Sequence, residues 1–269
     1  VDPRAVLKNK YSLARSLVFF SATLSPMAYF IKALAGEDAL KLRLDMPFDS
    51  DNLLVFKRSI STRYRDRNRN LALVAESIND LVTSKEGNYF IFFPSYSYME
   101  DVAEYYRDNF NQEILSQERI MTTEERADFL NEFTNDSNKI GFLVLGGIFS
   151  EGVDLMGDRL IGSMIISVGM PGLSKDRDLI KSHFDREGLN GFDYSYTYPG
   201  LNKVFQAAGR VIRGEKDKGI IYLLDDRYSW QKYMRLFPKH WKRQVMANDR
   251  EEFERRINNF WSIDENKGK

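Results

Sequence analysis

The chain contains no cysteine, and that absence removes disulfides, thiolate metal sites and cysteine nucleophiles from this segment. Only two histidines occur, His183 and His240, which leaves little material for a zinc site or a histidine-based triad. No apolar run approaches the roughly 18 residues of a membrane span. Cationic and anionic side chains balance at 39 each, so any attraction to nucleic acid has to come from a local patch and not from the global field. No G-x-x-x-x-G-K-[ST] segment is present to cradle β- and γ-phosphates. No G-x-G-x-x-G follows an early strand, which argues against a Rossmann-type cofactor enzyme. Internal repeats and low-complexity linkers are missing too. The opening Val1-Asp2-Pro3-Arg4 lacks Met and any signal-peptide pattern, so the chain is expected to be a piece of a longer polypeptide.

What is present suits an α/β domain. With 269 residues the chain is long enough for one large domain or two modest ones, and 43% hydrophobic with 29% charged residues is an ordinary soluble composition. Short apolar runs at 17–20, 53–56, 89–93, 141–145, 160–168 and 219–224 read as strands. They show little polar alternation, as expected for a mostly parallel sheet buried on both faces. Amphipathic stretches lie between them. Residues 70–82 put Leu71, Val74, Ala75, Ile78 and Leu81 on one stripe; 98–110 and 123–133 are spaced alike. Thr122-Thr123-Glu124-Glu125 offers a hydroxyl cap with acids in the first turn. A helix is expected over 198–212, stopping at Gly214. From Asn248 onward, Phe253, Ile257, Phe260 and Trp261 read as a last amphipathic helix before a tail, 266–269, expected to be disordered.

Four segments carry the chemistry. Gln206-Ala207-Ala208-Gly209-Arg210-Val211-Ile212-Arg213 places two arginines three apart on the expected helix, with a glutamine one turn earlier. Such a pair suits a phosphate; it also suits a solvated helix face. Ser21-Ala22-Thr23-Leu24-Ser25-Pro26 follows an apolar run, where open α/β sheets bind ligands. Ser25 there reads as a helix cap with Pro26 at the first helical position. Phe92-Phe93-Pro94-Ser95-Tyr96 also ends an expected strand, and its Ser95 opens the next helix. A hydroxyl and an aromatic at a helix N-terminus fit either a nucleic-acid phosphate or a plain cap with a packed ring. The loop 146–155, GGIFSEGVDL, combines three glycines with Ser150, Glu151 and Asp154. Two basic stretches, one with Arg63, Arg65, Arg67 and Arg69 around Tyr64, the other 239–243, suit DNA phosphates or a solvated surface. Leu223-Leu224-Asp225-Asp226 mimics a metal-binding strand end, and its pairing with Arg227 reads as structural.

In that order the segments resemble the C-terminal motor half of superfamily 2 DNA helicases of the DinG/XPD kind. SATLSP looks like motif III, 92–96 like motif IV, GGIFSEGVDL like motif V and QAAGRVIR like motif VI; Asp2-Pro3, 63–67 and 225–228 are similar to further family positions. The resemblance implies the second of two RecA-like lobes: a parallel sheet flanked by helices, P-loop NTPase-like but without its own P-loop. It implies a motif III strand over 1–24 belonging functionally to the first lobe, a RecA-like helicase domain over 25–247, and a C-terminal helix and tail over 248–269. Arg210 and Arg213 become arginine fingers on ATP bound by the first lobe, with Gln206 positioning the nucleotide cleft. Gly152, Asp154, Glu151, Ser21 and Thr23 become the ATP-coupling set, while Ser95, Tyr96, Ser150, Arg63 and Arg65 contact single-stranded DNA. The implied setting is a cytoplasmic, monomeric DNA-repair helicase, nucleoid-associated if bacterial and with no membrane partner. ATP and Mg²⁺ belong to the full-length parent, with the Mg²⁺ ligands on the first lobe, and a possible iron–sulfur cluster lies outside this chain. The isolated fragment is expected not to hydrolyse ATP. The rival expectation is a non-catalytic nucleic-acid-binding or protein-interaction module that keeps the helicase fold.

Overall fold

A computed structural model describes residues 2–150 and 155–265, with side chains up to residue 262. The chain divides into two compact units, Val1–Asp45 with Gly169–Phe205, and Met46–Val168 with Gln206–Lys269. The second unit holds the sheet. Its strands are β1 (Leu53–Arg58), β2 (Tyr89–Phe93), β3 (Ile114–Ser116), β4 (Ile140–Val144), β5 (Gly162–Ile166), β6 (Gly219–Leu224) and β7 (Gln244–Met246). They pair in the order β3-β4-β2-β5-β6-β1-β7, every pair parallel.

Parallel strands need crossovers, and amphipathic helices supply them. In chain order the helices are α1 (Arg4–Tyr11), α2 (Met27–Ala33), α3 (Leu71–Thr83), α4 (Tyr96–Asn109), α5 (Thr123–Asn131), α6 (Lys175–Arg186), α7 (Tyr198–Ala208), α8 (Gln231–Met234) and α9 (Arg250–Glu265). α3 buries Val74, Ala75, Ile78 and Leu81 of the expected stripe, while Leu71 packs partly buried against the same core. These join alternate strand residues Phe56, Tyr89, Ile91, Phe93, Phe142 and Tyr222 in one apolar core, which Phe253, Ile257 and Phe260 of α9 extend. The intervening residues Phe90, Phe92, Leu143, Ile165, Ile221 and Leu223 are equally buried, so the sheet is covered on both faces. α5 starts with a full capping box between Thr122 and Glu125. Because every strand points the same way, the ends of β1, β2, β4, β5 and β6 share one carboxyl edge, and the polar segments after them emerge there.

The first unit is helical. Tyr29 on α2, Phe184 on α6, Tyr194 and Tyr198 form an aromatic cluster, with Phe184 and Tyr194 stacked at 4.2 Å. A π-helical turn, Asp193–Thr197, leads into α7. Among the described residues no helix is long and apolar enough to cross a membrane.

Three expectations need correction. Residues 17–20 form no strand: Leu17, Val18, Phe19 and Phe20 lie outside regular structure and exposed, and no neighbouring strand satisfies their backbone. The helix expected over 198–212 ends at Ala208, so Arg210 and Arg213 are not two residues of one helix face. The exposed Gly209 ends the helical run, and Val211 and Ile212 then turn inward to be buried. Val211 lies over Gly219 at the start of β6, where a Cβ would collide with it. Finally, Pro26 is itself the cap residue of α2, after a cis Ser25–Pro26 peptide bond, and no side chain caps that helix.

Candidate functional site

The loop after β4 is the best-built polar segment of the sheet unit. Gly146 turns the chain with φ +76°. Gly147 N–H donates to the Val144 carbonyl at 2.9 Å, and Ser150 N–H to the Gly147 carbonyl at 3.0 Å. The Ser150 hydroxyl, buried, accepts from Gly146 N–H at 2.7 Å and donates to the Val144 carbonyl at 3.5 Å. Phe149 anchors the loop against Phe129 at 4.7 Å between ring centres. Two guanidinium groups clamp its carbonyls: Arg126 donates to Ile148 at 2.9 Å, and Arg210 donates to Ser150. The segments 146–150 and 206–213, distant in sequence, are therefore bonded to each other. Gly152, Asp154 and Glu151 lie outside the described residues, as does the tail 266–269.

Arg213 is placed by its own turn. The Asp217 carboxylate accepts from the N–H groups of Arg213 and Gly214, both at 2.7 Å, fixing the backbone from which the side chain leaves. Both Arg210 and Arg213 are half-buried, a setting in which a guanidinium acts more strongly on a phosphate than in open water. Gln206 stands two residues before the end of α7, also half-buried.

At the end of β2, Ser95 caps α4, its hydroxyl accepting from Tyr98 N–H at 3.3 Å. Tyr96 follows with its phenol accepting from Gln117 Nε2 at 2.6 Å and donating to the Glu118 carbonyl at 3.3 Å, while Arg119 lies 5.1 Å over its ring. Gln117 is buried, and its Oε1 accepts from Val144 N–H at 2.9 Å.

The basic stretch after β1 divides sharply. Arg63 is engaged, donating to Asp226 and Ser61 at 3.0 Å and lying 5.5 Å over the Trp230 ring. Arg67 stacks 4.5 Å over Tyr98. Burial pushes the Tyr98 phenol up to about 12 despite that guanidinium. Arg65 is 81% exposed, and Tyr64 is exposed beside it. Below them, the buried Asp225 accepts from Arg227 Nε at 2.7 Å and from the Thr62 hydroxyl. Burial alone would raise the Asp225 carboxyl, but Arg227 and Thr62 hold it below the ordinary range. Arg227 also reaches the Ser167 hydroxyl at 3.4 Å, and Ser167 sits at φ +81°, a left-handed conformation unusual for a non-glycine residue. Asp225 is thus fully committed to a structural pair at the sheet's edge.

Ser21 and Thr23 belong to the helical unit. Their hydroxyls lie 3.2 Å apart, and Thr23 N–H donates to Ser21 Oγ at 3.1 Å. Asn202 on α7, with its amide nitrogen turned inward, donates to the Thr23 and Ser25 carbonyls at 3.2 and 3.1 Å. Asp2, His183 and Glu187 in this unit converge closely enough for a cation. Arg4 already fills that place, bonding both Asp2 and Glu187, and Lys32 adds a contact to Glu187 at 3.1 Å. The cluster is an ion-pair network, not a metal centre. A cavity of about 830 Å³ between β7 and α9 is lined by Lys242 and Arg243 of the second basic stretch and by no residue of the four motif segments.

Four residues that hold these segments in place carry no recognisable motif: Gln117, Arg126, Asn202 and Asp217. Gln117 sits just beyond a three-residue strand, and Asp217 follows a segment expected to be a helix end, so spacing gave no reason to select either.

The seven parallel strands with helices on both faces, a clamped loop after β4 and an arginine-bearing turn after α7 define a RecA-like α/β domain without a phosphate-binding loop of its own. The chain belongs to the helicase C-terminal domain family, whose model matches residues 78–244, and is of the DinG/XPD-like kind. It is 29% identical over 227 residues to the ATP-dependent DNA helicase YoaA of Escherichia coli (strain K12), covering 81% of this chain and 34% of that protein. The XPD helicase subunit of general transcription and DNA repair factor IIH from Dictyostelium discoideum is 27% identical over 254 residues, covering 85% of this chain and 32% of that one. A solved chain named XPD_Helicase superposes with a TM-score of 0.67 at 19% identity, over 91% of this chain and 45% of its own length. The chain therefore spans about a third of the length of the curated relatives it matches.

Proposed function

We propose that this chain is the second motor lobe of an ATP-dependent DNA helicase, bringing Arg210 and Arg213 to ATP held on a first lobe and gripping single-stranded DNA along the carboxyl edge of its sheet. The observation that carries this reading is the bond from Arg210 to the Ser150 carbonyl, which makes the arginine-bearing turn and the loop after β4 one mechanical piece. The chain has no G-x-x-x-x-G-K-[ST] segment, so nothing in it fits the role of holding ATP or Mg²⁺ alone. Two half-buried guanidinium groups on a braced turn do fit the complementary role.

ATP, when bound, supplies the phosphoryl group whose transfer to water drives movement. Arg210 and Arg213 stabilise the charge that grows on its oxygens, and Gln206 orients the same region. Glu151, Gly152 and Asp154 carry the coupling from nucleotide to DNA, with Ser21 and Thr23 relaying from the helical unit. On the DNA side, Ser95 and Tyr96 lie at an α-helix N-terminus, where main-chain N–H groups favour a phosphate. The exposed Arg65, whose ion pair with Asp66 is a long one, follows the backbone, and Arg63 adds charge from its place over Trp230. Ser150 acts here through its carbonyl and its loop, since its buried hydroxyl is taken up by Gly146 and Val144.

Arg213→Ala in the full-length helicase tests the reading. Removing a finger should lower DNA-stimulated ATP turnover by roughly 10³–10⁵ while DNA binding persists. Unchanged turnover would overturn the motor role and leave a binding module that keeps the fold. The chain by itself should show no ATP turnover, and a robust DNA-stimulated rate from it would equally sink the proposal.

A further inference from the structure

The geometry points to Gln117 as the positioning residue that links the arginine-bearing turn to the DNA-contacting Tyr96, an inference that rests on the motor role just proposed. β3 stops at Ser116, opposite Phe142 on β4, and Gln117 N–H makes one more bond, to the Phe142 carbonyl at 2.8 Å. Two residues further along β4, Val144 N–H would ordinarily meet a main-chain carbonyl of a continuing strand. It meets the Gln117 side chain instead, at 2.9 Å. A main-chain ladder would have satisfied Val144 without involving any other element. The amide side chain does so while its Nε2 donates to the Tyr96 hydroxyl at 2.6 Å.

The consequence is a continuous set of bonded contacts within the sheet unit. Arg210 donates to the Ser150 carbonyl, and the Ser150 hydroxyl takes Gly146 N–H and reaches the Val144 carbonyl. Val144 N–H then donates to Gln117, and Gln117 donates to Tyr96. Gln117 is 2% exposed, so neither half of its amide has water as an alternative partner. Gly147 closes the space around it: a Cβ there would stand 3.1 Å from Gln117 Nε2 and 2.9 Å from the Val144 carbonyl. Displacing the loop therefore strains the Gln117 amide, and turning the amide moves the Tyr96 phenol. A bonded path is not yet a coupling, and a coupling is a measurable free-energy difference.

Two measurements test it. The first follows amide hydrogen exchange of 144–150 in this chain. Tyr96→Phe removes only the phenol oxygen, and should speed exchange at Val144 and Gly146 about tenfold, the effect of loosening one buried hydrogen bond. In a Gln117→Met background the same Tyr96→Phe change should add nothing. The second is the ratio of DNA-stimulated to unstimulated ATP turnover in the full-length helicase. It should fall about tenfold in Gln117→Met and less in Gln117→Glu, which keeps the acceptor for Val144. Both variants are checked for an intact fold by circular dichroism. Exchange at 144–150 that ignores Tyr96, or a stimulation ratio unchanged in both folded variants, overturns the relay. If the exchange coupling appears but the unmodified helicase shows no DNA-stimulated turnover, the relay stands and the motor role falls.

Discussion

Two short runs in this chain end in Phe-Phe, and they behave in opposite ways. Phe92-Phe93 closes β2, which lies between β4 and β5 with all five residues buried. Phe19-Phe20 closes a run outside regular structure, with Phe20 89% exposed. Composition does not separate them. What separates them is whether a neighbour supplies partners for the backbone and a surface for the rings, because a lone extended segment satisfies neither. Within the chain Phe19 meets the Tyr11 ring at 5.8 Å, and the helicase resemblance makes the first lobe the partner we propose for the exposed remainder of the run.

Paired truncations break or uphold that contrast with the largest expected effect. Phe93 packs 4.9 Å from Phe142 and meets Tyr98 edge-on at 6.3 Å, so Phe93→Ala should cost about 3–5 kcal/mol. Phe20→Ala should shift stability by no more than about 0.5 kcal/mol. Urea midpoints at constant slope measure both. A Phe20→Ala loss comparable to that of Phe93→Ala would mean that the exposed run is buried in solution.

The same physics explains what was legible in the sequence. Strands β1, β2, β4, β5 and β6 announce themselves because burial on both faces leaves little room for polar residues, Lys57-Arg58 at the end of β1 and Ser163 in β5 being the exceptions within them. β3 and β7 are three residues each at the two ends of the sheet, and β7 follows Lys242-Arg243, so neither carries an apolar run. α6 buries none of its residues, which leaves it without the stripe that betrays a helix. The spacing predicts too long an α7 because Val211 and Ile212 continue a helical pattern while turning inward to be buried, Val211 over Gly219. Three of the candidate segments, 92–96, 146–155 and 206–213, stand out because each lies beside a recognisable strand or helix, whereas 21–26 follows a run that forms no strand. The braces do not: Gln117, Arg126 and Asp217 act on main-chain groups, and a main-chain partner leaves no trace in residue spacing.

Ion pairs extend the comparison between the two units to their acid response. In the helical unit, hydrogen bonding from Arg4 holds the Glu187 carboxyl down at about 2, against the opposing effect of burial and with a further contribution from Lys32. Its folded pKa lies below its ordinary value, so its contribution is fully present above about pH 4.5 and is lost as pH falls toward about 2. Amide protection along α6 should therefore decline through that window, and Glu187→Gln should flatten the decline. In the sheet unit Asp225 is also depressed, but behind a buried pair, and protection in β2 should be indifferent to the Glu187 change. An unaltered α6 profile in Glu187→Gln would show that the Arg4 network does not hold this unit.

The smallest effect sets two neighbouring arginines against each other. Arg63 is tied to Asp226 and Trp230, whereas Arg65 is exposed with a long contact of 3.8 Å to Asp66. Arg63→Ala should cost about 1 kcal/mol, as expected for a partly buried pair with a stacked ring. Arg65→Ala should stay within about 0.5 kcal/mol of the parent. Binding of a thymidine oligonucleotide reverses the emphasis. An exposed cation following the phosphates releases about one counterion, so Arg65→Ala should reduce the slope of log affinity against log salt by about 0.7. An unchanged slope would remove Arg65 from the DNA path while leaving Arg63, already committed to the protein, with its structural role intact.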